Sequence, residues 1–381
     1  MPFEDLAPNY QILIGGSELS LDVTQYISQV EYESADGMAD EARITVADPD
    51  FSLSALKAFQ AGNELDILMG YGTELEYIGR IITRRIRYHF PAGEFPTFVV
   101  SGYTADAKMM DNSPPEGKER IFADTKYSDI VERVARRYGF TPDVDPTPDL
   151  PPEDATGRYQ KAGVSDYQVV SACANITGFF FWVDYDLDTA WTLHFKDPAN
   201  VLNAVVQPEL HFKYNEGDLT TLFEFHPELL IQGAQTKIRV SFKDPKSGKR
   251  VLEEIEESES SPDLSFAGNE LETADDEIAA ASTIKVFLQD FSFDLPAKNL
   301  KTADETLRWV QQWYRRSKEG FITGNGLVVG VETLRARQIH SLSGLTAQLD
   351  GRYYFSKVRH VMSTTEGYSC TFHARKQDSL T

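Results

Sequence analysis

Two histidines near the end of the chain, His360 and His373, are the first residues that could do chemistry. A two-residue turn at Glu366-Gly367 would set them opposite each other across a hairpin, and facing imidazoles can hold a metal ion. No third ligand stands near them in the sequence, so a cross-strand polar pair is the expectation. Gly324-Asn325-Gly326 followed by Gly330 has some glycines of a nucleotide-binding loop. It follows a helix instead of joining a strand to one, and its spacing is wrong. The many Asp and Glu residues could supply a glycosidase pair, yet no two of them are singled out. The sequence contains no HExxH, no CxxC pair, no G-x-S-x-G and no P-loop. Cys173 and Cys370 lie in apolar-periodic runs and read as buried thiols outside any disulfide. The expectation is a chain with no catalytic residue, no cofactor and no metal.

Cations remain as candidates. Arg80, Arg84, Arg85 and Arg87 stand close together in a chain of net charge −22. Arg85 and Arg87 alternate with Ile86 and Tyr88, so they share one face of a strand. That face is either solvated or in contact with an acidic neighbouring subunit. Arg308, Arg315 and Arg316 lie on a helix that opens at Thr302-Ala303-Asp304-Glu305 as a capping box, with its cations gathered toward the C-terminus. Together these arginines form the candidate subunit interface. The overall charge argues against a sequence-independent grip on nucleic acid, which needs Lys and Arg against phosphate. It suits a solvated surface, or a wall past which a polyanion slides.

The elements that must position these residues are mostly strands. The central stretch runs from Ser165 to Phe195: a helix opened at Ser165-Asp166 and stopped at Gly178, then a hairpin of Phe179 to Tyr185 and Trp191 to Phe195. Its aromatic weight makes it a local core that other elements must cover. An earlier helix repeats the order, with Ser128-Asp129 before and Gly139-Phe140 after. Before it, strands are expected at Tyr10–Ile14, Val23–Tyr32, Ala42–Val46, Glu64–Met69, Tyr77–Tyr88 and Phe95–Tyr103, with a short helix opened by Ser52. After it come strands at Asp218–Phe225, Thr236–Phe242 and Ile284–Phe293, and a glycine-punctuated pair over Phe321–Gly330. A closing hairpin joins Arg352–Met362 to Tyr368–Arg375. Between Glu253 and Glu277 the acidic residues crowd without Lys or Arg, which reads as an exposed acidic loop.

With 381 residues, 41% of them hydrophobic and 12% aromatic, two or three domains are expected. The fold class is α+β and mostly β: two tube-like β-barrel domains, each with a flanking helix, and a mixed αβ region between them. The boundaries are 1–103 for the first barrel, 104–198 for the mixed region and 199–381 for the second barrel with its acidic excursion at about 253–277. No apolar run approaches the ~20 residues of a membrane span, and Met1-Pro2-Phe3-Glu4-Asp5 does not open a signal peptide.

In order and spacing, four stretches resemble the late control protein D family of phage tails. This is the baseplate hub also found as the N-terminal half of type VI secretion spike proteins. They are Tyr127–Val131 with Tyr138-Gly139-Phe140; Tyr159-Gln160 through Ser165-Asp166 to Val183 and Leu193-His194-Phe195; Thr236–Val240 with Asp244-Pro245 and Gly248-Lys249; and Thr302–Glu305 through Gly324 and Gly330 to Gly351–Tyr354, Val358–His360 and Gly367–Arg375. The resemblance implies a structural, non-enzymatic homotrimer in the virion tail baseplate, or in a phage-derived injection particle. It would join a three-fold central spike to a six-fold tail tube and line the channel. Its implied partners are a separate central spike protein, the tail tube protein and other baseplate or tape-measure proteins, with no specific nucleic-acid binding and no membrane insertion. The spike would be a separate polypeptide, because no piercing module follows the last hairpin. The reading from another class is a phage-associated protein that degrades or binds cell-wall or capsule glycan.

Overall fold

The computed structural model describes residues 7–54, 56–122, 126–147, 158–187, 190–203, 209–217, 220–229, 237–244, 247–258, 261–267, 283–287, 292–296, 306–307, 310 and 322–377. The chain is α+β and mostly β, as its alternating patterns predict. It divides into two compact units, one of residues 1–174, 179–227 and 323–381, the other of residues 175–178 and 228–322.

The first unit opens with β1 (Pro8–Ile14), β2 (Ser17–Glu18), helix α1 (Leu21–Thr24), β3 (Ile27–Ala35), β4 (Glu41–Ala47), β5 (Glu64–Tyr71), β6 (Glu74–His89) and β7 (Thr97–Tyr103). Alternation sets the buried faces: Val30 and Tyr32 on β3, Ala42, Ile44 and Val46 on β4, Phe98 and Val100 on β7. Helix α2 (Ala107–Met110), β8 (Arg120–Phe122), α3 (Tyr127–Arg137), β9 (Thr141–Val144), β10 (Arg158–Gln160), α4 (Asp166–Thr177), β11 (Phe180–Asp186), β12 (Ala190–Lys196) and α5 (Pro198–Asn203) follow. Then come β13 (His211–Lys213) and β14 (Leu222–Leu229). The second unit contains β15 (Lys237–Lys243), β16 (Arg250–Ser258), β17 (Ser261–Ala267), β18 (Thr283–Phe287) and β19 (Ser292–Pro296). The chain closes with β20 (Ile322–Val329), β21 (Gln338–Ser343), β22 (Gly351–Ser363) and β23 (Gly367–Lys376).

Thirteen strands from both ends of the chain join in one sheet, in the order β14-β20-β23-β22-β3-β4-β7-β6-β5-β1-β2, with β21 beside β22 and β13 beside β21. The seam between early and late strands is β22 against β3, antiparallel from Lys357↔Ala35 to Ser363↔Gln29. It is pinned by charge. Glu33 accepts from Lys357 Nζ at 2.7 Å and from Arg359 Nε at 2.8 Å, and Arg359 stands directly opposite Glu33. Near the start of β22, Tyr353, Tyr354 and Phe355 are all fully buried in succession. A strand covered on both faces loses its alternation. The second unit holds a five-stranded sheet in the order β17-β16-β15-β18-β19.

The two helices of the mixed region start differently. At α4, Gln168 N–H donates to Ser165 Oγ at 3.2 Å while Ser165 N–H donates to Gln168 Oε1 at 2.8 Å. This is a reciprocal capping box, and Gly178 at φ +76° ends the helix. At α3 the expected Ser128-Asp129 cap is not used. Ser128 lies inside the helix, and its N–H donates to Thr147 Oγ1 at 3.0 Å, a cap supplied from later in the chain.

Several other expectations change. The helix expected from Ser52 is only a 3-10 turn over Lys57–Phe59, and Val23 belongs to α1 instead of a strand. Asp48 accounts for the first change, because its carboxylate accepts the amides of Leu53 and Ser54 and ties them into a loop. The start of the acidic excursion is not a loop but paired strand. β16 lies between β15 and β17, with Lys237 opposite Glu256 and Arg239 opposite Glu254 in register. Residues 268–277 of the excursion, and the helix expected from Thr302 apart from positions 306, 307 and 310, lie outside the described residues.

Candidate functional site

The β11/β12 hairpin brings a group of titratable side chains together. β12 pairs antiparallel with β11 and parallel with β9, so His194 stands opposite Trp182 on one side and Asp143 on the other. His194 Nδ1 donates to Asp143 Oδ2 at 2.7 Å and Nε2 donates to Asp184 Oδ1 at 2.9 Å. An imidazole that donates from both nitrogens is an imidazolium. Burial alone would lower the pKa of His194, but the hydrogen bonds and charges of Asp184 and Asp143 outweigh it and raise it. His194 at Asp184, and Lys196 with His194 at Asp143, overcome burial and hold both carboxyls below the usual range. Lys196 Nζ extends the chain of charges to Asp143 at 2.5 Å and Asp145 at 3.1 Å.

Trp182 links this row to the large sheet. Its ring lies nearly parallel to His194, centroids 4.6 Å apart, and its Nε1 donates to Asp184 Oδ2 at 3.1 Å. The Arg337 guanidinium sits 4.9 Å from the Trp182 ring centroid. Arg337 is buried, donates to Ala35 O at 2.8 Å and pairs with Asp40 at 3.3 Å. Its backbone is held at φ +69°, a region that costs a non-glycine residue roughly 1–2 kcal/mol. Burial pushes the Asp40 carboxyl up to about 6 even though Arg337 opposes it. Nearby, Arg80 Nε donates to Asp66 at 2.6 Å, and its guanidinium lies 3.6 Å from the Tyr185 ring centroid. Between the His194 row and Arg337 lies a cavity of about 730 Å³ whose walls include Tyr32, Tyr77, Asp184, His194, Arg335 and Arg337.

Several of the charges that line the cavity are paired. The carboxylates of Asp143, Asp184 and Asp40 are each held by a cation, and Ser34 Oγ in the wall accepts the Ala336 amide at 3.1 Å. Among the described residues, no group of three or more His, Cys, Asp or Glu could hold a metal ion. The network clasps the hairpin to the sheet.

A second buried node lies at the start of α4. Asp166 is fully buried and accepts from Arg120 at 2.5 Å, Arg137 at 2.7 Å, Tyr138 Oη at 2.6 Å and Gln160 at 2.9 Å. It ties α4 to the C-terminal turn of α3 and to the β8/β10 pair. Burial would raise its pKa, but the hydrogen bonds from Tyr138, Arg137 and Gln160 lower it.

The sequence-expected residues separate on inspection. Arg80 is held by Asp66 and Glu64, and Arg84 pairs with Asp111 at 2.6 Å. Arg85 and Arg87 are exposed and make no ion pair among the described residues. Arg308, Arg315 and Arg316 lie outside the described residues. His360 and His373 do not face each other: Ser363 pairs with Gly367, so the turn is one residue longer than expected and His360 stands opposite Cys370. His360 Nε2 donates to Leu334 O at 2.8 Å and Tyr368 Oη donates to Nδ1 at 2.7 Å, while burial lowers its pKa to about 3. It is a neutral core histidine. Cys173 and Cys370 are buried and not disulfide-bonded. Asp166, His194 and Arg337 were missed as charge nodes. For His194 the one available signal was a titratable residue set among core aromatics, and Asp166 carried only the signal of a helix start.

A family model described as the Alg8 N-terminal domain matches residues 5–364. The chain belongs to the Alg8 N-terminal domain family. No curated protein matches the sequence. The fold of this family member is that of phage tail and type VI secretion proteins. It is similar to a tail protein from Neisseria meningitidis MC58, with TM-score 0.61 and 11% identity over 97% of each chain. It is similar to the 43 kDa tail protein of prophage MuSo2 from Shewanella oneidensis, with TM-score 0.62 and 11% identity over 97% of this chain and 98% of that one. A third likeness is to the E. coli c3393 protein, a component of the type VI secretion system with structural similarity to the T4 tail proteins gp27 and gp5. There the TM-score is 0.58 and the identity 10%, over 97% of this chain and 77% of that one.

Proposed function

We propose that this chain is a structural baseplate hub of a contractile tail or injection system, of the late control protein D type. The observation that carries the reading is the end-to-end likeness to tail proteins, which spans 97% of this chain and 97% or 98% of theirs. In this reading residues 1–103 and 199–381 act as two tube-like barrels around the mixed region 104–198. Three copies then present six barrels, and a three-fold spike meets a six-fold tube. A contact between unlike faces closes into a ring at three copies, and the duplicated barrel supplies the doubled symmetry. The protein would sit in the virion tail baseplate, with a separate spike protein on one side, the tube protein on the other, and other baseplate or tape-measure proteins near the channel. The net charge of −22 suits a channel wall that does not retain DNA. No reaction is part of this role, and the carboxylates of Asp40, Asp143 and Asp184 at the cavity are bound by cations. Arg80, Arg84, Arg85 and Arg87 are the described members of the candidate subunit interface, and in this reading the acidic neighbour that Arg85 and Arg87 face is another protein of the particle.

Light scattering coupled to size exclusion tests the reading on the purified chain, alone and with the spike and tube proteins encoded beside it. Three copies, alone or on addition of the spike protein, are expected. A chain that stays monomeric with every such partner overturns the hub.

A further inference from the structure

Strand β6 outruns its neighbour. β5 pairs with it only as far as Glu64↔Ile82, and a register shift follows between Thr83 and Arg85. From Arg85 to His89 the strand pairs with β7 alone among the described residues. Its other edge therefore offers backbone amides and carbonyls to an incoming strand. The two faces of this segment differ. Arg85, Arg87 and His89 stand opposite Ser101, Val99 and Thr97, while Ile86 and Tyr88 stand opposite the buried Val100 and Phe98. Tyr88 is 48% exposed and stacks on Phe90, itself 64% exposed, with centroids 6.1 Å apart; Phe90 meets the 58% exposed Phe51 at 6.0 Å.

Cations on an open edge can serve only to discourage pairing. That role does not call for three exposed aromatics beside them, which form a contiguous apolar patch of the kind found at contact sites. Nor does this chain lack carboxylates with which Arg85 and Arg87 could pair, since it has 59 acidic residues against 37 basic ones. We propose that the outer edge of Arg85–His89 receives an extended strand of a partner protein by β-augmentation. The incoming strand carries acidic residues on the face of Arg85 and Arg87 and apolar residues on the face of Tyr88. This rests on the reading of these arginines as contact residues and not on the tail assignment.

The probe is a fluorescein-labelled octapeptide of alternating Glu and Val, titrated with the full chain and read by anisotropy. A Lys/Val peptide and a Glu/Val peptide with alternate amides N-methylated serve as comparisons. Saturable binding of the Glu/Val peptide is expected, at least tenfold weaker for the N-methylated peptide and for R85E/R87E, and retained by R85K/R87K. Circular dichroism checks that the variants stay folded. Equal binding of the Lys/Val peptide, no loss in R85E/R87E, or no binding of any peptide overturns the proposal. It also falls if the chain self-associates and R85E/R87E abolishes that association, because a second copy then occupies the edge. Peptide binding by a chain that assembles with no spike or tube protein overturns the hub and leaves this inference standing.

Discussion

Arg80 and Arg87 lie on the same strand, β6, and do opposite things. Arg80 sits where β5 still covers the strand. It is held by Asp66 and Glu64 with its guanidinium on the Tyr185 ring, so its charge fixes the hairpin to the sheet. Arg87 lies past the end of β5, exposed and without an ion pair among the described residues. The contrast teaches that a cluster of cations in sequence need not be one surface. Where a neighbouring strand ends decides which arginines serve the fold and which are left for another molecule.

If the inward-turned charges belong to the fold, removing the acceptor that gathers most of them has the largest effect. Asp166→Ala leaves Arg120 and Arg137 around a buried hole, and losing one partner of a buried pair typically costs about 3–5 kcal/mol. Urea denaturation measures it, and a loss under about 1 kcal/mol would break the contrast. Arg337→Met comes next, at about 2–3 kcal/mol near pH 8, because Asp40 is left buried and charged without its cation. Its carboxyl is already pushed up to about 6, so it takes up a proton readily once Arg337 is gone. The loss should therefore shrink at pH 5, and a pH-independent loss would mean that packing on Trp182 dominates.

The clasp also predicts the direction of pH dependence. His194 has a raised folded pKa, so its contribution is fully present below about 6.5, the unfolded value, and is lost as pH rises through the folded value. Asp143 and Asp184 have lowered values, so theirs is present above the unfolded carboxyl value and lost as pH falls. Asp40, raised to about 6, and Asp106, raised to about 7 by burial, act in the other sense and cost stability once ionised. Between pH 8 and pH 6 the His194, Asp40 and Asp106 trends favour the acid side, while the Asp143 and Asp184 contributions stay in place. The buried neutral His340 and His360, lowered to about 4 and about 3, oppose them in part, and the net expectation is a modest rise in melting temperature from pH 8 to pH 6. His194→Gln should cost about 1–2 kcal/mol at pH 6 and less at pH 8, flattening that rise. An unchanged pH slope in the variant would remove His194 from the clasp.

Much of the fold was legible in advance because its signals are local. The strands of the first hundred residues, the Ser165 cap, the Gly178 stop and the closing hairpin each follow from alternation or capping chemistry within a few residues. The seam of β22 on β3 was not legible, since strands more than 300 residues apart are joined by register and by Glu33 with Lys357 and Arg359, none of which has a local mark. The closing turn was read at Glu366-Gly367, whereas it has three residues, 364–366; the earlier and longer turn shifts the register by three and exchanges His373 for Cys370 as the partner of His360. The charge nodes failed for the same reason as the seam. Asp166 looks like helix-start chemistry, and only the fold brings Arg120, Arg137, Tyr138 and Gln160 to it.

The smallest effect sharpens the comparison most. R85E/R87E reverses two exposed charges that make no ion pair among the described residues, and surface changes of this kind stay within about 0.5 kcal/mol. In a chain already at −22, the added acids bring some self-repulsion, which salt screens with a Debye length of about 10 Å at 0.1 M. Stability measured at high ionic strength should therefore match the parent chain, while Arg80→Glu, made on the same strand, should lose about 3 kcal/mol by setting a third carboxylate against Asp66 and Glu64. Should R85E/R87E prove as damaging as Arg80→Glu, the far half of β6 is held by the fold after all, and its edge is not open to a partner.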